Sequence, residues 1–382
     1  MKGIAITHRG TEEIAFLEIK ELINAKTEIK ESLVIFDFSD FEELCILCYK
    51  TQSVKKVLYL LGSFKINDLF KQIKEKLTQI DYKKWFDKKT SFRVSCEHID
   101  NDLNHEEIVK DVGALIINNI KTKQRFSPKV NLDDPDVVFY LYIYKDFCYI
   151  GTDISGRDLS KRDYRIFSSR NSIKGTIAYA LLRFGNYKVG EILLDPFCRS
   201  GEIVIEAGLY ASDFPVNYYY KENFAFYKLK PFLKLNIKKL LEEQDRKILK
   251  SNSKIYGYDF NQKYIMQAKR NAKIAGIQKI VTITRQDIEW VDLKQKEKNV
   301  DKIITYPPQP SKIVGEKKIA KIYQEFFYQA EYILKDNGLV VVLSKSLKLL
   351  EEQAKKYKFI LKDKKEIWMG QQRMYVGIFV KS

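Results

Sequence analysis

Along residues 1–63, the spacing of apolar side chains switches between the two-residue period of β-strands and the 3.6-residue period of α-helices. Apolar positions run together or alternate in KGIAIT (2–7), SLVIFDF and ELCILCY, and such runs predict β-strands. Between Thr11 and Ile23, glutamates are set among apolar positions at helical spacing, which predicts an amphipathic helix; a second helix is predicted over Val54–Leu61. This β-α-β-β-α alternation predicts a small ferredoxin-like unit.

A second α+β unit is predicted after it. The Phe70–Ile80 segment is a basic amphipathic helix by its spacing, and SFRVSCEHI (91–99) is typical of a strand. Asn104 is expected to cap a helix through Ile120, because glutamates follow in the first turn, where acids suit the helix dipole. The apolar segment that follows predicts two strands separated by Lys145–Asp146.

In the second half of the chain, three predicted strands each end on an aspartate: LLD at Asp195, KIYGYD at Asp259 and VTITRQD at Asp287. The strands DKIITY and LVVVLSKS continue the alternation with helices, and FILKDKKEIW and MYVGIFVKS predict a closing antiparallel hairpin. This pattern predicts an α/β fold with a largely parallel sheet, whose ligands bind outside the carboxyl ends of the strands. Gly201, in the turn after the first acid, lets a ligand approach the backbone. Strand ends often carry aspartate, so an ordinary core turn is the alternative.

Composition favours a polyanionic partner. The 382 residues carry a net charge of +17, and 24 tyrosines and 23 phenylalanines add faces on which bases can stack. A lysine-rich proteome that coats every surface with charge is the alternative. The five cysteines are scattered, and the C-x-x-C of Cys45 and Cys48 lies in an apolar run, so we expect buried thiols and no metal site. Neither a signal peptide nor a membrane-spanning run is found, so we expect a reduced, cytoplasmic protein.

Two segments carry candidate nucleic-acid contacts. The second unit offers basic residues for a phosphate-facing surface, with a solvated basic face as the alternative: Arg93, Lys110, Lys121, Lys123, Arg125 and Lys129. Residues 211–250 are dense in tyrosine, phenylalanine and lysine, which suit a single-stranded or flipped base. Packing of these rings inside the protein is the alternative for most of them.

Four stretches together resemble the THUMP-containing RNA methyltransferases. The order FRVSC, VGALI, VNLDDPDVVFYLYI and FCYIGTDIS resembles a THUMP domain, and the following KRDYR (161–165) is similar to the family's linker. LLDPFCRSGEIVIEA resembles the family's cofactor motif, normally D-P-F-C-G-S-G-T, and NFAFYKL (223–229) resembles its F-A-F segment. The resemblance points to archaeal and bacterial members that methylate a guanine exocyclic amine in tRNA.

The resemblance implies four regions: a ferredoxin-like domain (1–63), a THUMP domain (64–156), a linker (157–172) and a Rossmann-like methyltransferase domain (173–382). It also implies a THUMP surface that grips the acceptor end of tRNA, with Arg162 and Arg165 of the linker among the RNA contacts. The implied cofactor is S-adenosylmethionine, and we expect a monomer that works away from membranes.

The strand-end acids suit that cofactor by position. Asp259 can accept both ribose hydroxyls, Asp287 can accept from the adenine amine, and Asp195 with the turn to Gly201 would hold the amino-acid end. A nicotinamide cofactor is disfavoured, because G-x-G-x-x-G is absent. The full set of expected cofactor contacts is Asp195, Phe197, Ser200, Gly201, Asp259, Phe260, Asp287 and Ile288.

The expected catalytic residues depart from the family pattern. The family's N-P-P-Y or D-P-P-Y aligns with Tyr306, Pro307, Pro308 and Gln309. In the family pattern the prolines stiffen a turn and point a carbonyl at the amine, the Asn or Asp accepts the amine's second hydrogen, and the aromatic ring stacks on the flipped base. Here Tyr306 would have to stack and Gln309 to accept.

The cofactor turn departs as well. Arg199 stands where the family has glycine, so its side chain can crowd the methionine end of the cofactor, or its backbone can require a conformation that is costly for a non-glycine residue. Glu202 replaces a hydroxyl residue, and Arg199 can pair with it or reach the nucleic acid. Two functions stay open: an active S-adenosylmethionine-dependent RNA methyltransferase acting by direct transfer, and a catalytically impaired relative that binds tRNA or assists assembly.

Overall fold

The computed structural model describes residues 1–99, 104–169 and 172–382. The linker predicted over 157–172 therefore includes two positions, 170 and 171, that lie outside the described residues. No described helix is both long enough and apolar enough to cross a membrane.

The first half of the chain forms one sheet and the helices that cover it. Its described strands are β1 (Lys2–Ile6), β2 (Thr27–Lys30), β3 (Leu33–Asp37), β4 (Lys56–Lys65), β5 (Ser91–Ile99), β6 (Lys129–Val130), β7 (Val137–Tyr144) and β8 (Phe147–Asp153). Its described helices are α1 (Glu12–Ile23), α2 (Phe41–Lys50), α3 (Leu69–Gln79) and α4 (His105–Gln124).

These strands lie in the order β2-β3-β1-β4-β8-β7-β5-β6. The first four, with α1 and α2 as their connections, have the strand order of a ferredoxin-like fold, as the sequence predicted. Strand β4 pairs antiparallel with both β1 and β8, so the two predicted N-terminal units share a continuous sheet. The predicted cap of α4 is confirmed, because the Asn104 side chain accepts a hydrogen bond from the Glu107 amide at 3.4 Å.

Two of the predicted N-terminal elements are wrong. ELCILCY lies in α2 rather than in a strand, and Val54–Leu61 contributes to β4 rather than to a helix. Asp40 explains the first error, since its side chain caps α2 by accepting from the Glu43 amide at 3.1 Å. Apolar residues on several faces of α2 are buried, which hides the helical period. Cys45 and Cys48 are buried free thiols, as expected.

The second half of the chain forms the other sheet. Its described strands are β9 (Leu193–Asp195), β10 (Ile255–Asp259), β11 (Val281–Arg285), β12 (Val300–Thr305), β13 (Leu334–Ser344), β14 (Phe359–Met369) and β15 (Gln372–Lys381). Its described helices are α5 (Gly175–Phe184), α6 (Glu202–Ala211), α7 (Ile237–Asp245), α8 (Gln262–Ile274), α9 (Glu316–Ile333) and α10 (Lys348–Lys356).

These strands lie in the order β11-β10-β9-β12-β13-β15-β14. Strands β9 to β13 pair in parallel, and β14 and β15 form the predicted antiparallel hairpin at the edge. The chain order of the strands reverses between β9 and β12, so the carboxyl ends of these two strands border the crevice where ligands bind in such sheets. Asp195 ends β9 beside this crevice.

The insertion over residues 211–250 packs mainly against the N-terminal region. Phe224, Phe226 and Phe232 are buried in the same apolar core as α2 and β7. Lys228 pairs with Asp134, and the Lys230 ammonium donates to the Lys83 carbonyl at 2.7 Å. These contacts support the packing interpretation of the insertion's rings, although Tyr219 stays 59% exposed.

A buried ion pair joins the two halves of the chain. Arg162 and Glu206 lie 2.8 Å apart, and both side chains are fully buried. Glu206 also accepts from the Gln52 amide and the Tyr164 hydroxyl, each at 2.7 Å. The Arg162 guanidinium donates in turn to the Gln52 carbonyl at 2.5 Å. The predicted RNA contact at Arg162 is therefore wrong, because its guanidinium is enclosed by protein groups.

Candidate active site

Asp195 lies at the bottom of the crevice between β9 and β12. It is 2% exposed, and one carboxylate oxygen accepts from the Thr305 hydroxyl at 2.6 Å and from the Phe197 amide at 3.1 Å. Burial raises the pKa of this carboxyl to about 7, against the opposing effect of these hydrogen bonds and of Arg199. Its charge at neutral pH therefore depends on what occupies the crevice.

The turn after Asp195 crosses the end of β10 and is fixed there by backbone hydrogen bonds. The Cys198 amide donates to the Tyr258 carbonyl at 2.8 Å, and the Arg199 amide donates to the Asp259 carboxylate at 3.2 Å. The other carboxylate oxygen of Asp259 accepts from the Asn261 amide at 2.9 Å. Burial raises the pKa of Asp259. The structure thus brings two of the predicted strand-end acids to one turn.

The end of this turn is tightly packed. Gly201 has φ of 90°, and a Cβ built there would lie 3.0 Å from the Ala268 side chain, so the position suits glycine alone. The Ser200 hydroxyl donates to Glu202 at 2.8 Å. Arg165 lies 3.4 Å from the same Glu202 carboxylate. Glu202 is therefore held between the turn and the linker, and it gives the predicted RNA contact Arg165 a partner within the protein.

The outer end of the crevice carries exposed apolar and acidic groups. Phe260 is 60% exposed beside Asp259, and Asp287 is exposed while Ile288 is half-buried. Trp290, which the sequence did not single out, is 56% exposed. Gln286 follows the end of β11 and links it to the end of β10, since its backbone amide donates to the Asp259 carbonyl at 3.0 Å. Its side chain donates to the Trp290 carbonyl. The sequence signal for Trp290 is an aromatic residue just after the third strand-end acid.

The Pro-Pro turn after β12 is held by hydrogen bonds within the protein. The Gln309 amide nitrogen donates to the Pro307 carbonyl at 2.9 Å, and its oxygen accepts from the Ser344 hydroxyl at 2.8 Å. The Gln309 oxygen also accepts from the Lys345 amide at 3.1 Å. The Ser344 hydroxyl has one proton and also lies 2.6 Å from the Ser346 carbonyl, so the Gln309 oxygen keeps acceptor capacity and its role toward the substrate amine stays a prediction.

Tyr323 of α9 completes this turn. Its hydroxyl donates to the Pro308 carbonyl at 2.6 Å. The Pro307 carbonyl accepts one hydrogen bond from Gln309 and keeps a second lone pair for a substrate donor. No sequence pattern singled out Tyr323, because its partner lies in a different element, 15 residues earlier in the chain.

Arg199 and Tyr306, the two main departures from the family pattern, contact each other. The Arg199 guanidinium lies 4.6 Å from the centre of the Tyr306 ring. Arg199 is 9% exposed and Tyr306 is 8% exposed. The cavity that remains beside them and Asp195 measures about 10 Å³, which is room for about one water molecule.

The predicted RNA-binding residues of the second unit divide into two groups. Lys110, Lys121, Arg125 and Lys129 are exposed. Lys123 is exposed as well, but its ammonium donates to the Thr78 carbonyl, and the half-buried Arg93 donates to the Leu132 carbonyl at 2.8 Å. Cations at the carboxyl end of α4 also suit the helix dipole, so the basic-face alternative remains for these positions.

Comparison with known proteins identifies the family. Residues 162–375 match the family described as RMKL-like, methyltransferase domain, and residues 68–153 match the THUMP domain. The chain belongs to this methyltransferase family. The family, the α/β fold and the methyl donor S-adenosylmethionine predicted from the sequence are thereby confirmed.

The chain is similar to two curated relatives in sequence and to one crystal structure in fold. The chain is 28% identical over 370 residues to a tRNA (guanine(6)-N2)-methyltransferase of Methanocaldococcus jannaschii, covering 94% of this chain and 95% of that protein. It is 27% identical to the ribosomal RNA large subunit methyltransferase K/L of Buchnera aphidicola, covering 91% of this chain but only 50% of that protein. The crystal structure of SMU.472 complexed with SAH superposes with a TM-score of 0.84 at 18% identity, covering 100% of this chain and 98% of that one, which shows the shared fold.

The chemistry of the crevice fits the cofactor. Asp259 and the exposed Phe260 offer a hydroxyl acceptor beside an apolar ring, as a ribose and its base require. The buried Asp195 carboxylate is chemically suited to a cationic ligand. The Arg199 side chain leaves only about 10 Å³ beside it, so a ligand larger than a water molecule requires this side chain to move.

Proposed function

We propose that this protein transfers a methyl group from S-adenosylmethionine to the exocyclic amine of a guanine in tRNA, at position 6. The observation that carries the proposal is the convergence of Asp195, Asp259 and the Pro-Pro turn at the crevice between β9 and β12. A tRNA substrate is favoured over ribosomal RNA, because the similarity to the tRNA enzyme spans nearly the whole of both chains.

When bound, the cofactor would supply an activated methyl group: its bond to sulfur breaks as the bond to nitrogen forms, the sulfonium becomes a neutral thioether, and the surplus proton of the amine passes to solvent. The residues of this chain orient the acceptor. The Pro307 carbonyl, held by Gln309, accepts a hydrogen from the substrate amine and so directs the nitrogen lone pair. Tyr306 is the aromatic residue of this turn, but it is 8% exposed and its ring is covered by Arg199, so a flipped base can stack on it only once the guanidinium has moved. Burial raises the pKa of its phenol, so at neutral pH the hydroxyl keeps its proton and is no general base.

RNA binding is assigned to the THUMP region and its exposed cations. Neutralising Lys110, Lys121, Arg125 and Lys129 together to glutamine should weaken tRNA binding and flatten its dependence on salt, by a slope of about 0.7–0.9 for each phosphate that the protein no longer neutralises. The matched control changes four exposed lysines of α10 and β14 instead: Lys348, Lys355, Lys362 and Lys364. An unchanged salt slope in the first variant would refute this surface.

Methyl transfer is tested with unmodified tRNA, labelled S-adenosylmethionine and nucleoside analysis of the digest. The expected product is N2-methylguanosine, lost when the guanine at position 6 is replaced. Asp259→Ala should abolish cofactor binding while tRNA binding persists. The second candidate, tRNA binding without transfer, is favoured by the small cavity beside Arg199. It would be supported if tRNA binds but no cofactor binds with or without tRNA.

A further inference from the structure

Arg199 is held in an unusual backbone conformation inside the crevice. Its φ is 45°, in the left-handed region that disfavours residues with a Cβ. The hydrogen bond from its amide to Asp259 and that from Cys198 to the Tyr258 carbonyl keep the turn in place. The main chain therefore fixes where the Arg199 side chain starts, and the side chain runs inward rather than to solvent.

The guanidinium lies among groups that attract a cation. It stacks on the Tyr306 ring at 4.6 Å. It also opposes the effect of burial on two neighbouring carboxyls, since Arg199 lowers the pKa of Asp195 and of Asp259 while burial raises both. A sulfonium is a cation too, and two carboxylates with an aromatic face are what a buried cation requires. The residual cavity of about 10 Å³ cannot hold a second cation beside the first.

We propose that the Arg199 guanidinium is a resident cation that fills the sulfonium end of the pocket and must leave it before the methyl donor is seated. The inference rests on the proposed function. Because the displaced guanidinium stays tethered to the turn, it continues to repel a positive charge nearby. Arg199 thus discriminates between the two forms of the cofactor: it disfavours the cationic sulfonium of the donor but not the neutral thioether of the product, S-adenosylhomocysteine.

The test is the ratio of the dissociation constants for S-adenosylmethionine and S-adenosylhomocysteine, measured by calorimetry on the full chain. Arg199→Met removes the charge, and Arg199→Lys keeps it; both keep a Cβ and hence the same backbone strain. We expect the ratio to fall about tenfold in Arg199→Met, in favour of the methyl donor, and to stay near the wild-type ratio in Arg199→Lys. Equal ratios in all three proteins would overturn the inference.

Arg199→Gly covers the case in which the longer side chains impair folding, because it removes the charge and relieves the left-handed strain. It should shift the ratio in the same direction as Arg199→Met, and an unshifted ratio counts against the inference. If the wild-type protein and every variant bind neither ligand, the cofactor assignment of the proposed function fails first. Binding of both ligands with an unshifted ratio leaves that function standing and overturns the role of Arg199 alone.

Discussion

Replacing Arg162 with methionine should destabilise the whole protein rather than impair RNA binding. The guanidinium is buried between α6 and the loop that joins α2 to β4, and it donates to Glu206, to the Gln52 carbonyl and to the Leu159 carbonyl. Methionine matches much of its length but supplies no donor. The Glu206 carboxylate would then be buried without its counter-charge.

The expected loss is near the lower end of the range for such changes. Breaking a buried ion pair by removing one partner costs about 3–5 kcal/mol. Glu206 keeps two hydrogen bonds, from Gln52 and Tyr164, so we expect about 3 kcal/mol. For a unit of 150–250 residues this lowers the melting temperature by about 6–12 °C. Adding Glu206→Gln should recover part of the loss, since the double variant no longer buries an unpaired charge.

Thermal and urea unfolding, followed by circular dichroism, measure these changes. Lys161→Met is the control, because Lys161 is the exposed neighbour and its loss should change stability by less than about 0.5 kcal/mol. A fall in tRNA affinity for Arg162→Met with unchanged stability would refute the structural role. That result would instead support Arg162 as an RNA contact.

Two further predictions concern the crevice. Because burial raises the pKa of Asp195 to about 7 from a usual value of 3.8, its stabilising contribution is present at low pH and is lost as pH rises through about 4 to 7. Asp195→Asn should therefore raise the free energy of unfolding at pH 8 by up to about 4 kcal/mol but little at pH 4, and equal effects at both values would contradict the assignment. Tyr323→Phe removes the hydrogen bond to the Pro308 carbonyl and should cost about 1 kcal/mol of stability. It should lower the rate of methyl transfer more than cofactor affinity; the reverse pattern would argue against a positioning role.

The secondary structure was predictable where the apolar residues of a segment follow a single period, either that of a strand or that of a helix. Strands β10 and β11 are short apolar runs that end on or just before an acid, and the hairpin β14–β15 is bounded by turn residues. The errors fall where burial on several faces hides the period. The helix α2 buries Leu44, Cys45, Leu47, Cys48 and Tyr49, so its sequence reads as a continuous apolar run. Its cap at Asp40 is the local signal that distinguishes the two structures.

The basic residues could not be sorted from the sequence, because a cation carries no sign of its partner. Arg162 and Lys110 are both cationic at neutral pH and equally plausible as phosphate contacts in the linear chain. The fold places the first beside Glu206, an acid of a distant helix, and leaves the second exposed on α4. Only the packing of the linker against α6 separates a structural cation from an RNA-facing one.

The crevice is a second case in which the sequence alone does not show which residues contact each other. From the sequence, Arg199 and Tyr306 are separate departures in two motifs, and together they left a catalytically impaired protein as the second possible function. In the fold they are one feature, a guanidinium 4.6 Å from the centre of a phenol ring and close enough to Asp195 and Asp259 to lower the pKa of both carboxyls against the effect of burial. A cation in place of a glycine and an aromatic ring in place of an Asn or Asp compensate each other, since the ring and the acids stabilise the charge that the turn introduces. The paired change is therefore better explained as an altered way of admitting the cofactor than as two independent losses.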